Sequence, residues 1–197
     1  ILRGFTIRGA YSGKMGIFLD GADNCSITGN HIGGNSGGIY MSTSNYNTLR
    51  DNNVVYSYSG INLYYSNNNT LMFNGVKCLE YHSMPRNKSE TPLLGEPVQA
   101  GISLEASNNN TLMHNIAKEN RDGIVLFSSS NYNRLVGNDA YHNGYFGIIV
   151  DHSSNNELTG NYADSNYLNG IALWNSANSN TLTENSASFN KKAPFWP

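Results

Sequence analysis

The stretch Gly101–Asn115, GISLEASNNNTLMHN, is nearly repeated at Gly60–Asn74, GINLYYSNNNTLMFN. Both segments begin with Gly-Ile-x-Leu and carry three consecutive asparagines before Thr-Leu-Met. Asparagine is depleted in strands and costly to bury without hydrogen-bond partners. Asparagines at matching positions therefore indicate either a binding surface or a structural element of a repeat.

The Gly-Ile-x-aliphatic pattern occurs seven times along the chain, with spacings of 22, 22, 41, 22, 24 and 23 residues. Its glycines are Gly16, Gly38, Gly60, Gly101, Gly123, Gly147 and Gly170. Each unit continues with a lone aliphatic residue, an asparagine three positions later and a small apolar residue two further on. These asparagines are Asn30, Asn52, Asn74, Asn115, Asn138, Asn161 and Asn185.

Each unit thus predicts three short strands with alternating inward residues, separated by turn residues. No helical period is present, and the phrase typical of leucine-rich repeats is missing. The pattern predicts an all-β chain: a right-handed, single-stranded parallel β-helix (a solenoid) of about eight rungs of roughly 22 residues.

Stacked rungs bring equivalent side chains about 4.8 Å apart, so the asparagines are expected to form a hydrogen-bonded ladder. Serines near the sixth position after each glycine predict a second ladder: Ser44, Ser66, Ser107, Ser129, Ser153 and Ser176. The triple asparagine is expected to form the turn between two strands.

Residues 1–197 are predicted to form a single β-helix domain. The 41-residue spacing indicates an inserted loop at about 76–100, and residues 189–197 are expected to cap the C-terminal end. Further chain or another subunit is expected to cover the N-terminal end.

The 197 residues carry a formal net charge of −2, and only 13% of them are charged. This composition lacks the basic patch of a nucleic-acid-binding protein, and no apolar run is long enough to span a membrane. Two cysteines, Cys25 and Cys78, cannot define a disulfide scaffold.

The phrases GIYMSTSNYNTLRDN (Gly38–Asn52) and GIALWNSANSNTLTEN (Gly170–Asn185) resemble known β-helix repeats. They are similar to the NosD family and to the carbohydrate-binding and sugar-hydrolysis (CASH) domains of archaeal and bacterial cell surfaces. The resemblance extends over most of the chain. It implies an exported protein, extracellular, on the cell surface or periplasmic, and, for a NosD-like protein, a role as a copper-delivery accessory.

Side chains two and four positions after each glycine are expected to point outward from the first strand. Aromatic rings among carboxylates suit sugars, which have apolar faces and hydroxyl rims. The predicted carbohydrate-binding residues are Tyr40, Tyr64, Glu105, Phe127, Asp151 and Trp174. The expected partner is a polysaccharide or cell-surface glycan, and a structural or adhesive role, or contact with another subunit, is the alternative.

A polysaccharide lyase, epimerase or glycoside hydrolase acting on the same face is a further alternative, although the interpretation favours binding. The candidate catalytic residues are Asp151, His152 and Glu105. Glu105 and Asp151 are predicted to lie two rungs apart, roughly 10 Å along the axis. An inverting pair of carboxylates requires about 6.5 to 9.5 Å.

No cofactor is predicted, but Cys78, His82 and Met84 are soft ligand types that suit copper. A calcium-binding β-roll motif is not found in GGNSGG (Gly33–Gly38). Four Asn-x-Ser/Thr sequons occur, of which Asn87, in the insertion, is expected to be the most accessible; the others are Asn24, Asn68 and Asn109.

Overall fold

The computed structural model describes residues 1–78 and 99–191. These residues form 21 β-strands, here numbered β1–β21 along the chain, and contain no α-helix. Neighbouring strands in the described ranges are all parallel, and they belong to three sheets of seven, eight and six strands. No helix in the described ranges has the length and hydropathy needed to cross a membrane.

Sheet 1 contains the repeat glycines and consists of β3 (Met15–Asp20), β6 (Gly37–Ser42), β9 (Ser59–Tyr64), β12 (Ala100–Glu105), β15 (Asp122–Phe127), β18 (Ile148–Asp151) and β20 (Ile171–Trp174). Sheet 2 contains the lone leucines and consists of β1 (Leu2–Arg3), β4 (Ser26–Thr28), β7 (Thr48–Arg50), β10 (Thr70–Met72), β13 (Thr111–Met113), β16 (Arg134–Val136), β19 (Glu157–Thr159) and β21 (Thr181–Thr183). Sheet 3 contains the small apolar residues and consists of β2 (Thr6–Arg8), β5 (His31–Gly33), β8 (Asn53–Val55), β11 (Gly75–Lys77), β14 (Ile116–Lys118) and β17 (Asp139–Tyr141).

Equivalent residues of successive repeats pair in register, which confirms the predicted solenoid. Leu71 pairs with Leu49 on one side and Leu112 on the other. The inward columns form one continuous apolar core in which Ile61, Leu71 and Leu112 are fully buried. Burial of each such side chain contributes about 1.5–3 kcal/mol, so the repeated aliphatic positions are the main stabilising element.

The repeat glycines are required because the backbones of adjacent rungs approach closely there. A Cβ on Gly101 would lie 2.8 Å from the carbonyl oxygen of Gly123 and 2.9 Å from the Ala117 Cβ. Carbon atoms do not tolerate such distances, so any larger residue would push two rungs apart.

The predicted asparagine ladder is confirmed. Asn115 Oδ1 accepts hydrogen bonds from the backbone N–H of Asn74 at 3.0 Å and from its Nδ2 at 2.9 Å. Asn115 Nδ2 donates to the Leu71 carbonyl at 2.9 Å and to Asn138 Oδ1 at 3.0 Å. Each buried amide thereby satisfies both its donor hydrogens and its acceptor oxygen.

The triple asparagines do more than form a turn, because each member has its own role. In Asn108–Asn110, the first side chain accepts from the backbone N–H of Asn131 at 2.7 Å. The second, Asn109, is exposed and adopts the left-handed conformation with φ 56°. The third, Asn110, belongs to a second buried ladder formed by Asn47, Asn69, Asn110, Asn133, Asn156 and Asn180. A further ladder at the corner before sheet 1 contains Asn120, Asn143, Asn166 and Asn190.

The serine ladder was predicted correctly in its first rungs and wrongly in two later ones. The Ser107 N–H donates to Ser130 Oγ at 3.1 Å, whereas Ser129 is exposed with φ 68°. Ser176 is likewise exposed, and Ala177 packs against the core instead. Each of these corners contains one extra residue, which is accommodated as a second left-handed residue rather than by shifting the strands.

Candidate functional site

The structure brings the six predicted carbohydrate-binding residues onto one face, the outward side of sheet 1. Tyr64 pairs in register with Glu105, and Glu105 pairs with Phe127. Asp151 pairs with Trp174 in the same column at the C-terminal end. Tyr40 lies in the neighbouring column, where it pairs with Asn62.

Exposure differs strongly along this face. Glu105 and Phe127, in the middle, retain only 4% and 8% of their accessible surface. Tyr40 and Tyr64 are half-buried, and Trp174 is 47% exposed. The face therefore offers two accessible areas, one near Tyr40 and Tyr64 and the other around Trp174.

The first accessible area is aromatic. The rings of Phe18 and Tyr40 lie 5.8 Å apart, and those of Tyr64 and Tyr65 lie 4.6 Å apart in an edge-on arrangement. Burial raises the pKa of the Tyr40 hydroxyl, and the nearby Glu105 carboxylate raises it further. Glu105 thus lies close enough to act electrostatically on this aromatic area, which we call the tyrosine patch (Phe18, Tyr40, Tyr64 and Tyr65).

Buried polar side chains lie between the two accessible areas, in the column formed by the residues two positions after each repeat glycine. Ser103 Oγ donates to Asn62 Oδ1 at 2.6 Å, and Asn62 Nδ2 donates to Ser59 Oγ at 3.1 Å. All three residues are almost completely buried. Their hydrogen-bonding groups bind one another, so this part of the face fixes the sheet rather than presenting groups to a ligand.

Phe127 is buried by residues that the sequence reasoning missed. A second apolar cluster, outside the solenoid core, contains Ala100, Val125, Phe127, Phe146, Ile149 and Ala172, with Tyr145 and Leu168 packed against it. Tyr145 and Phe146 precede β18 in a turn that carries one residue more than the corresponding turn before Gly123. That extra residue was the signal in the sequence for a side chain lying over the sheet, because an insertion in a regular repeat places side chains outside the repeating columns.

The second accessible area is the tryptophan patch, formed by Phe146, Asp151, His152, Trp174 and Asn175. The Trp174 ring contacts the Phe146 ring edge-on, with centroids 4.9 Å apart. Asp151 Oδ1 lies 3.0 Å from His152 Nδ1 and accepts a hydrogen bond from Asn175 Nδ2 at 2.8 Å. This patch combines an exposed indole face with a rim of polar groups.

The corner after β18 explains how two adjacent residues, Asp151 and His152, reach each other. Alternate side chains of a strand point to opposite faces, but β18 ends at Asp151 and His152 is left-handed with φ 46°. Glu105 is separated from Asp151 by the Phe127 rung, so the structure does not bring all three candidate catalytic residues together.

Of the candidate metal ligands, Cys78 is almost completely buried and its thiol lies 3.5 Å from the carbonyl oxygen of Ala100. Burial raises the pKa of this thiol to about 12, which keeps it in the protonated form, whereas metals bind the thiolate. His82 and Met84 lie outside the described residues. Within residues 1–78 and 99–191, no group of three or more His, Cys, Asp or Glu side chains is arranged to hold a metal ion.

Of the other predicted features, the sequon residues Asn24, Asn68 and Asn109 are exposed. Asn87 and most of the insertion lie outside the described residues, as do residues 192–197 of the expected cap.

The family model described as "Right handed beta helix region" matches residues 2–187. The chain therefore belongs to the right-handed β-helix family. No curated protein matches its sequence.

Several solved structures share the fold. A point mutant of the periplasmic alginate epimerase AlgG is 26% identical over 81% of this chain and 34% of its own, with a TM-score of 0.62. A second AlgG mutant is 20% identical over 93% and 45% of the two chains, with a TM-score of 0.70. Pectate lyase Pel9A is 15% identical over 84% and 44%, with a TM-score of 0.65. This chain thus spans less than half the length of each of these proteins.

Proposed function

We propose that the outward side of sheet 1 binds a polysaccharide, and that the tyrosine patch and the tryptophan patch are its two contact areas. The observation that carries this proposal is the exposure of Trp174, at 47%, beside a hydrogen-bonding rim formed by Asp151 and Asn175. A flat aromatic face covers the C–H face of a sugar ring, while carboxylate and amide groups bind its hydroxyls. The similarity to proteins named as alginate epimerases and a pectate lyase supports a polysaccharide as the ligand class.

The charges on this face favour a neutral polysaccharide over a polyuronate. The two outward columns are the positions two and four residues after each of the seven repeat glycines, and none of these fourteen positions is lysine or arginine. Their accessible carboxylates are Asp20 and Asp151. A polyuronate would place its own carboxylates against these groups, with no cation in the columns to compensate. Uncharged sugars avoid this repulsion and still provide hydroxyl donors for the carboxylates.

An extracellular, cell-surface or periplasmic location forms part of this proposal, because an extended glycan is met outside the cytoplasm. The word "periplasmic" in the name of the AlgG structures is consistent with it. A closer relationship to the NosD family or the CASH domains rests on the repeat phrases. Of the roles that this resemblance implies, the two patches support carbohydrate binding, as in the CASH domains.

Affinity electrophoresis in gels that contain neutral glucans, mannans or xylans, with alginate and polygalacturonate for comparison, tests the proposal. We expect retardation in at least one neutral polymer and none in the polyuronates. Because one stacked ring contributes about 0.5–1.5 kcal/mol, Trp174→Ala and Tyr64→Ala should each weaken binding by roughly 2- to 12-fold.

Tyr162→Ala provides a matched control, because Tyr162 is 57% exposed and its backbone pairs with Asp139 of sheet 3 rather than with sheet 1. Its affinity should equal that of the unmodified protein. Unchanged mobility in every polymer, or equal losses in all three variants, would contradict the proposal.

Catalysis is a second candidate function, favoured by one observation: the 3.0 Å contact between His152 Nδ1 and Asp151 Oδ1. A carboxylate that fixes one ring nitrogen of a histidine leaves the other nitrogen to act as a general base toward a sugar. Lyases and epimerases of uronates also need a cation opposite the substrate carboxylate. The two outward columns contain none, so we favour binding.

Product analysis by mass spectrometry after long incubation with neutral and uronate polymers tests this alternative. Catalysis predicts that product formation is lost in both Asp151→Asn and His152→Gln, to a far greater extent than polysaccharide binding is weakened. If the unmodified protein forms no product from any of these polymers, the hypothesis of catalysis fails and the binding proposal is unaffected.

A further inference from the structure

The turn before β18 is attached to the preceding rung at both sides of the Phe146 peptide. The Phe146 N–H lies 3.3 Å from Asp122 Oδ1, and the Phe146 carbonyl accepts from the Gly123 N–H at 2.9 Å. Asp122 and Gly123 are adjacent, so one short segment of β15 fixes the backbone of Phe146. Phe146 and Asp122 occupy equivalent positions in successive rungs, immediately before Gly147 and Gly123. In the preceding rung the residue that pairs in register with Asp122 is Ala100.

This attachment determines where the Phe146 side chain lies. Phe146 is only 8% exposed and packs on Val125, Phe127 and Ile149, on the outer side of sheet 1. Its ring then meets the Trp174 ring at an interplanar angle of 81°. This is the ring contact that Trp174 makes among the described residues, and it restricts rotation of the indole.

The Asp122 carboxyl group is itself enclosed. Its side chain is 13% exposed, and Arg121 Nε lies 3.8 Å from Oδ2. The Arg121 guanidinium lies 5.3 Å from the centroid of the Tyr145 ring, and its charge opposes the larger effect of burial on the pKa of Asp122. The buried Arg121 Nε has no hydrogen-bond partner among the described atoms. Burial of an apolar residue at position 122 would cost less free energy, because a buried carboxylate loses its hydration.

We propose that Asp122 is a positioning residue for the tryptophan patch: by holding the Phe146 backbone, it sets the orientation in which Trp174 stacks on a sugar ring. The inference rests on the proposed polysaccharide binding for its functional consequence, but its structural part is independent of any ligand. The contacts run from the Asp122 carboxylate to the Phe146 N–H, from the Phe146 ring to the Trp174 indole, and from the indole to the ligand.

The chain has two tryptophans, so Trp196→Phe leaves Trp174 as the sole indole fluorophore. In this background, acrylamide quenching reports the accessibility of Trp174 without any ligand. Asp122→Ala should at least double the quenching constant, because Phe146 loses one of its two attachments and keeps only the bond from the Gly123 N–H. Asp122→Asn keeps an oxygen acceptor for the Phe146 N–H, so its quenching constant should stay close to that of the parent.

Asp51→Ala is the control: Asp51 is an exposed aspartate paired with Arg50, on a corner of sheet 2. It should change neither quenching nor affinity. Cooperative thermal unfolding of each variant, followed by circular dichroism, shows that the solenoid remains folded. If Asp122→Ala unfolds the protein, Phe146→Leu, which keeps the apolar contacts but removes the ring edge, should likewise increase quenching of Trp174.

A pH profile provides the readout that a merely structural role would not give. Ionisation makes Asp122 a stronger acceptor for the Phe146 N–H, so Trp174 emission should shift with a midpoint near pH 6, while quenching, which needs only an oxygen acceptor, changes little. Asp122→Asn, which cannot ionise, should abolish the shift. Because the imidazole of His152 belongs to the same patch, the profile is measured in a His152→Gln background.

The two proposals fail separately. If Trp174→Ala weakens polysaccharide binding while Asp122→Ala changes neither Trp174 quenching nor affinity, the positioning role is overturned and polysaccharide binding stands. If Asp122→Ala alters quenching but no polymer binds the unmodified protein, polysaccharide binding fails, while the contact chain from Asp122 to Trp174 stands.

Discussion

Replacement of Asn115 by alanine should destabilise the solenoid strongly, because Asn115 satisfies buried groups in the rungs on both sides. Its removal takes the acceptor from the Asn74 N–H and from one Nδ2 hydrogen of Asn74. It also removes the donor to the Leu71 carbonyl. Each buried group left without a partner costs about 1–3 kcal/mol, so the three together should cost roughly 3–9 kcal/mol.

Urea unfolding followed by circular dichroism measures this loss, which is a large fraction of the ~5–15 kcal/mol typical of a domain. Asn109→Gly serves as the control, because Asn109 is exposed and glycine adopts its left-handed conformation without strain. The control should stay within about 0.5 kcal/mol of the unmodified protein. A loss below about 1 kcal/mol for Asn115→Ala would refute the view that the ladder, rather than the apolar columns alone, holds the rungs together.

Asn115→Asp separates the donor and acceptor roles of the same side chain. The introduced carboxylate still accepts from Asn74, but it faces the Leu71 carbonyl and Asn138 Oδ1 without a hydrogen to donate. Its burial should raise the folded-state pKa above the unfolded value of about 3.9. The variant should therefore regain stability as pH falls through the folded-state pKa, and a stability independent of pH between 7 and 4 would contradict this reasoning.

Three further outcomes are expected. In urea unfolding, Gly60→Ala should destabilise the protein by several kcal/mol, because its Cβ would collide with the next rung. Gly75→Ala should cost less than about 1 kcal/mol, because its Cβ would lie 3.6 Å from its nearest neighbour. In a thiol-labelling time course under native conditions, the half-buried Cys25 should react well before Cys78, because burial raises the pKa of the Cys78 thiol to about 12. Simultaneous labelling of both cysteines would show that the core opens readily. Because burial raises the pKa of Asp122 to about 6, the folded state binds a proton more tightly than the unfolded chain, so stability should fall by up to about 3 kcal/mol as pH rises from 4 to 7. Asp122→Asn should remove this part of the pH dependence, and an unchanged profile would mean that Asp122 is not the group responsible.

The repeat determined the solenoid because its information is local and periodic. The spacing of Gly16, Gly38 and Gly60 at 22 residues, with aliphatic residues at fixed offsets, leaves one way to bury every apolar side chain while pairing every strand. The ladder from Asn30 to Asn185 followed from the same reasoning, because equivalent residues of stacked rungs must be neighbours.

The errors arose where the repeat length changes. Counting from Gly123 and Gly170 placed Ser129 and Ser176 in the serine ladder, but an extra corner residue puts Ser130 and Ala177 there. A count along the chain cannot show whether an extra residue is absorbed in a strand or in a corner. The structure decides this, because the apolar and asparagine columns on both sides hold the strands in register.

The sequence by itself determined the fold and the residues of the two outward columns of sheet 1. Only the tertiary structure decided which of them a ligand can reach. Phe146 comes from the turn of another rung and lies over Phe127, while Trp174, at the edge of that cover, remains half-exposed. Exposure depends on contacts between segments distant in sequence, whereas alternation along a strand depends only on its own backbone geometry.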